Sequence, residues 1–236
     1  MVDLSLFEGP WVHLSVDFQG KYLRRLPIGR RMEFEQDMAT FRDVAPPDTS
    51  HLWIGFGKHF QSFPSNVSTS QEWVDRRLIL RELGLPNMVR ETDGLFVKSD
   101  VNGFYAIPGR RSWLALHLEE HHPESKTLVI SGVNTGKCVA HTVAGALANG
   151  YRCIALKDLL GDSEHGFGNA EWNAEYLKLR VLAALPAYYP DQASLIDKID
   201  DYLICMTSTD FVALAKEKPA PPVTATPVLK LERRFG

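Results

Sequence analysis

The chain has no apolar run of about 18 residues, which excludes a helix that crosses a bilayer. Its first residues, MVDLSLFEGPW, lack the basic start and apolar core of a secretory signal, so the expected compartment is the cytoplasm. Cysteine is scarce. The three present, Cys138, Cys153 and Cys205, make an odd count without metal-ligand spacing, which argues against a disulfide framework or a zinc finger. The Asn-Val-Ser sequon at Asn66 is then without meaning. There is no surplus of positive charge either. The 26 Lys and Arg against 29 Asp and Glu leave a formal charge of −3, with the two signs interspersed, so nucleic acid and membrane surfaces are not expected partners and a small molecule is. Internal repeats and composition breaks are also missing, and 236 residues suffice for one well-packed domain.

Five apolar runs read as strands: WVHLSV (11–16), HLWIGFG (51–57), TLVISG (127–132), RCIALKD (152–158) and YLICMTS (202–208). GLFVKS (94–99) is a possible sixth. Helical candidates alternate with them at 33–44, 72–83, 110–121, 137–149 and 171–185. Strands that are apolar throughout, separated by helices, indicate a parallel sheet covered on both faces. The expected fold class is therefore α/β, a three-layer α-β-α sandwich around a mostly parallel sheet. Residues 1–215 read as one domain, 58–93 as an inserted or lid segment, and 216–236 as a proline-rich extension.

In such sheets ligands bind beyond the carboxyl ends of the strands, and three polar residues fall there: Asp17 in VDFQ, Lys98 in FVKSDVNGF, and Cys138 in SGVNTGKC. The Gly-Lys pair of SGVNTGKC sits at a strand-to-helix junction, where a P-loop would cradle phosphate. Only three residues separate Gly132 from Gly136, however, and a thiol replaces the hydroxyl that would ligate magnesium. A thiol at a helix N-terminus gains instead from the positive end of the helix dipole, which favours thiolate.

These residues carry a resemblance. The segment LVISGVNTGKCVAHTVAGALANGYRCIALKD is similar to the strand, G-V-x-T-x-x-C-V-x-x-T helix and following strand of the isochorismatase-like cysteine hydrolases, the superfamily of nicotinamidase and carbamoylsarcosine amidase. The resemblance covers most of residues 10–160. It implies an Asp-Lys-Cys triad, falling on Asp17 (with Gln19 in D-x-Q), Lys98 and Cys138. It also implies a cis peptide at Val133–Asn134, an oxyanion held by the N–H groups of Asn134 and Cys138, and cleavage of a carbon–nitrogen bond in a small amide-type substrate through a thioester. Assembly into dimers or tetramers follows from the same resemblance.

The chain departs from the superfamily at several points. The D-x-H-x-x-H metal site of nicotinamidase-like members is not reproduced by Asp48, His51 and His59, so no metal and no organic cofactor are expected. Asn134 stands where a small residue is common, and Gly136 where an acidic one is. Gln19, Trp53, His59, Phe60, Phe104 and Tyr105 are weaker candidates for the substrate pocket, with core packing or loop capping as the plainer reading of each. The histidines of HLEEHH (117–122) read as a solvated helix face. A metal-assisted hydrolase and a catalytically silent scaffold are the alternatives to the cysteine hydrolase.

Overall fold

The structure, a computed structural model, describes residues 9–56, 80, 84, 89–98, 100–106, 111–162 and 168–217. Six strands form one sheet: β1 (Trp11–Val16), β2 (Ser50–Phe56), β3 (Gly94–Lys98), β4 (Thr127–Val133), β5 (Arg152–Gly161) and β6 (Leu203–Met206). Their order is β3-β2-β1-β4-β5-β6 and every pairing is parallel. β1 and β4 lie at the centre, buried along their whole lengths, which is why their sequences show no polar alternation.

Alternate residues of β1 serve different layers. Val12, Leu14 and Val16 pack beneath α2 (Trp113–His121), α3 (Ala140–Ala148) and α4 (Ala170–Tyr188). Trp11 and its neighbours on the other face pack beneath α1 (Ile28–Val44) and α5 (Ser208–Glu217). The result is the three-layer α/β sandwich. Side chains such as Leu14, Ile54, Val129 and Leu177, fully withdrawn from water, each contribute roughly 1.5–3 kcal/mol of transfer free energy to it. Among the described residues no helix is long and apolar enough to cross a membrane.

All six strand expectations hold, and the differences lie at the helices. Helix α2 begins at Trp113, later than expected, because the Ser112 hydroxyl caps it by accepting from the Ala115 N–H at 3.4 Å. Helix α1 begins earlier, at Ile28, in a turn whose exposed Ile28 and Met32 hide the apolar period. The helix expected at 137–149 is preceded by a wide π-turn, Thr135–Val139, before α3 proper. Helix α5 has no counterpart among the sequence expectations; its Phe211 docks edge-on to Trp11 at 5.4 Å. The helix expected at 72–83 and most of segment 58–93 fall outside the described residues, as does the tail from 218 onward.

A buried ion pair ties the second layer to the sheet. Arg42 of α1 donates to Asp93 at 2.6 Å, and the other Asp93 oxygen accepts from Trp53 Nε1 and from the Arg90 N–H, both at 2.8 Å. Three charge-assisted bonds on one carboxylate offset much of the cost of burying it.

Candidate active site

The strand order reverses between β1 and β4, and at such a switch point the following loops part to leave a crevice beyond the strand ends. Asp17 opens it from the β1 side. Its backbone adopts φ 51°, a left-handed conformation uncommon outside glycine, and its N–H donates to the Ile54 carbonyl at 2.7 Å. The next two residues hold that turn in place. Phe18 drops into the second layer, while Gln19 accepts from the Phe56 N–H at 2.8 Å and donates to the Phe56 carbonyl at 3.4 Å.

Lys98 ends β3, two strands away, opposite Phe56 at the end of β2. Its ammonium stands 3.1 Å from Asp17 Oδ2 and donates to the Val101 carbonyl at 2.8 Å. Cys138 comes from the π-turn after β4, and its thiol lies close enough to Asp17 and Lys98 for the charges of both to act on it. All three side chains are shut away from solvent: Asp17 is 0% exposed, Lys98 4% and Cys138 6%. Asp17 has close polar neighbours but no aligned donor on either oxygen among the described residues, so its charge is poorly solvated.

That burial governs the proton affinities. It raises the Asp17 carboxyl above the usual carboxylate range, more than the Lys98 charge and the contacts with Cys138 and Lys98 lower it. Burial likewise pushes the Cys138 thiol up to about 12, with the Asp17 charge adding to the rise and Lys98 opposing it. This runs against the expectation that the helix end favours thiolate: burial and the Asp17 charge favour the protonated thiol.

The loop that carries Cys138 is shaped by close packing. Gly132 has φ 130°, and a Cβ there would lie 2.0 Å from the Val16 carbonyl oxygen, so only glycine lets β4 pass β1 at the switch point. The Val133–Asn134 peptide is cis. The Gly136 N–H donates to Asp162 at 3.0 Å and its carbonyl accepts from Arg180 Nε at 3.0 Å. A Cβ on Gly136 would meet the Tyr176 hydroxyl at 2.4 Å, a packing reason for glycine where an acidic residue is common in the superfamily. Thr135 Oγ1 donates to the Gly161 carbonyl at 3.0 Å.

The weaker pocket candidates fare differently. Trp53 is no pocket residue: it lies on the α1 face of the sheet, fully buried and bonded to Asp93. Gln19 is taken up by its clamp on Phe56. Phe104 is core, packed on Tyr151 at 5.9 Å, while Tyr105 is exposed. His59 and Phe60 lie outside the described residues.

Of the histidines weighed as metal ligands, His51 has its Nδ1 3.0 Å from His13 Nδ1, and His13 Nε2 lies 2.8 Å from Ser131 Oγ. Both rings are held neutral. Burial, with the Arg42 charge acting on it, takes His51 down to about 4, and burial with its charged neighbours lowers His13 well below its ordinary value. His117 of HLEEHH is buried rather than solvated, its ring centroid 4.5 Å from that of His121 with the two planes tilted.

Two residues near the crevice escaped the sequence reading. Lys21 and Tyr22 follow the D-x-Q directly, and the charges of both Asp17 and Cys138 act on them. Burial, with the Asp17 charge adding to it, raises the Tyr22 phenol. The only signal for either residue was adjacency to Asp17.

A family model described as the isochorismatase domain matches residues 80–180. No curated protein matches the chain. Among solved structures, an isochorismatase-like hydrolase from Alkaliphilus metalliredigens is similar at 16% identity and TM-score 0.53, over 87% of this chain and 98% of that one. An isochorismatase family protein from Burkholderia thailandensis follows at 12% identity and TM-score 0.51, over 87% and 94%. The fold is isochorismatase-like. A Leishmania major protein provisionally named a MAR1 ribonuclease shares it, at 17% identity and TM-score 0.51 over 94% of this chain and 90% of that one. The isochorismatase-domain match spans β3, β4 and β5, and so both Lys98 and Cys138, while Asp17 lies before it.

Proposed function

We propose that the chain is a cysteine hydrolase that cleaves a carbon–nitrogen bond, of amide or carbamoyl type, in a small molecule. One observation carries this reading: Asp17, Lys98 and Cys138 meet in a buried cluster beyond the carboxyl ends of β1, β3 and β4, at the switch point of an isochorismatase-like sheet.

Because the thiol holds its proton at neutral pH, attack has to be coupled to proton transfer. As Cys138 Sγ bonds to the substrate carbonyl carbon, its proton passes to Asp17, whose raised proton affinity suits it as general base. Lys98 balances the negative charge that stays within the cluster. The carbonyl oxygen becomes an oxyanion, held by the backbone N–H groups of Asn134 and Cys138; loss of one such donor costs about 2.7–4 kcal/mol in other hydrolases. The C–N bond then breaks and the leaving amine takes the proton from Asp17. Water next attacks the thioester and gives a proton to Asp17. Asp17 returns that proton to the departing sulfur, releasing an acid and restoring the thiol.

Carbon–nitrogen cleavage is favoured over carbon–oxygen cleavage of a vinyl ether because a thiol backed by a base serves acyl transfer, which ether cleavage does not need. A screen of small amides, ureas and carbamoyl compounds read by ammonia release tests the proposal. Turnover that disappears in Cys138→Ala is the expected result. Turnover that survives in that variant would refute the thioester.

A further inference from the structure

We propose that Lys21 selects the substrate, and that the substrate is an anion: an amide-type molecule carrying a carboxylate or similar acidic group near the scissile bond. The proposal rests on Cys138 being the acylating nucleophile.

Lys21 lies on the single helical turn Gly20–Leu23 that follows the Asp17 exit from β1. Its ammonium donates to the Phe56 carbonyl at 2.8 Å and sits 5.1 Å from the centroid of the Phe56 ring. The Lys98 ammonium is 5.8 Å from the centroid of the same ring. Two cations thus flank one aromatic side chain at the end of β2, where the ring's π-face tolerates both. Of the two, only Lys98 has an acidic partner among the described residues, the Asp17 carboxylate at 3.1 Å. Lys21 makes no ion pair with any described residue, and one of its three N–H donors is used on Phe56.

The charge ledger of the site is therefore unbalanced. With the thiol neutral, two ammonium groups face one carboxylate. Lys21 is exposed and reachable from solvent, whereas the Asp17–Lys98 pair is sealed. Partial burial lowers the Lys21 ammonium from its usual value, the Asp17 charge opposes this and the Lys98 charge adds to it. An arriving anion would supply the missing negative charge without displacing Lys98 from Asp17. It would also place its uncharged acyl end toward Cys138. A neutral amide offers Lys21 a hydrogen-bond acceptor but no balancing charge.

The rival account is that Lys21 merely caps the last carbonyl of β2. Charge-selective alkylation separates the two. Iodoacetate and iodoacetamide deliver nearly the same carbon to sulfur, one as an anion and one neutral, and the rate of each at Cys138 is read by peptide mass spectrometry. The iodoacetate-to-iodoacetamide ratio at Cys138, scaled to a free thiol, should exceed one. In Lys21→Gln, which keeps a donor for the Phe56 carbonyl, the ratio should fall about tenfold, and Lys21→Arg should keep it, the size expected for a partly screened charge. An unchanged ratio in Lys21→Gln would overturn the inference while leaving Cys138 as nucleophile.

If neither reagent modifies Cys138 ahead of Cys153 and Cys205, the nucleophile reading itself fails. The anion site is then judged by calorimetric titration of malonate into Cys138→Ala. Binding that is lost in Cys138→Ala/Lys21→Gln supports Lys21, and no binding overturns it.

Discussion

Lys98 Nζ stands 3.1 Å from Asp17 Oδ2, although the strands that carry them are separated by β2. The contact spans the sheet at its carboxyl edge: Lys98, the last residue of β3, pairs with Phe56 at the end of β2, and Asp17 is the first residue beyond β1, where Val16 pairs with Ile54. Each is buried, and each is the other's charge partner.

Removing one member of that pair should cost more than removing both. Lys98→Met leaves a buried carboxylate without its cation, a loss of about 3–5 kcal/mol by analogy with broken buried pairs. Asp17→Asn in the Lys98→Met background should recover part of it. Chemical denaturation of the two single variants and the double variant measures this, and a double variant less stable than Lys98→Met would contradict it. Asp17→Asn alone should lower kcat/KM by about 10²–10⁴-fold, the usual contribution of a general base.

The pH dependence of Cys138 chemistry discriminates a coupled from a preformed nucleophile. With the thiol at about 12, alkylation by a neutral reagent should climb steadily with pH through the neutral and mildly alkaline range. A plateau already reached at pH 7 would reveal a standing thiolate. Turnover, by contrast, needs Asp17 ionised and should fall on the acid side at a pH above the ordinary carboxylate range, since burial raises that group.

Two glycines of the nucleophile loop should respond differently to alanine. Gly132→Ala drives a Cβ to 2.0 Å from the Val16 carbonyl oxygen at φ 130°, and backbone cannot step aside there. A loss of about 4 kcal/mol or more, or failure to fold, is expected. Gly136→Ala meets the ring of Tyr176, a side chain that can be cut away. Adding Tyr176→Ala should therefore restore stability to Gly136→Ala but not to Gly132→Ala, as thermal melts will show.

The neutral His13–His51 pair should make the fold acid-sensitive. Both rings have folded-state values below 6.5, so the unfolded chain takes up protons first as pH falls. Their contribution is intact above pH 6.5 and is lost progressively below it, for His51 down toward about 4, at up to about 1.4 kcal/mol per pH unit for each ring. Denaturation midpoints for wild type and His51→Gln between pH 7 and 4.5 check the sign. The variant should lose stability less steeply.

The amino-acid sequence by itself determined the strands and the nomination of the triad. Strands buried on both faces must be apolar throughout, so β1, β4 and β5 were legible as short uninterrupted runs. Parallel connection then placed Asp17, Lys98 and Cys138 at one end of the sheet. The tertiary structure decided the rest. Which face of the sheet a residue joins depends on register and on the helix laid over it, so Trp53 could pass for a pocket residue until Asp93 and Arg42 were seen to hold it in the opposite layer. Helix α5 was hidden because its apolar residues are few and acquire meaning only against Trp11. The proton affinity of Cys138 is set by desolvation, a property of the assembled fold that no helix-end motif reports. Lys21 meets the Phe56 carbonyl 35 residues away only once β1 and β2 lie side by side, because pairing brings together chain segments whose distance in sequence carries no trace of it.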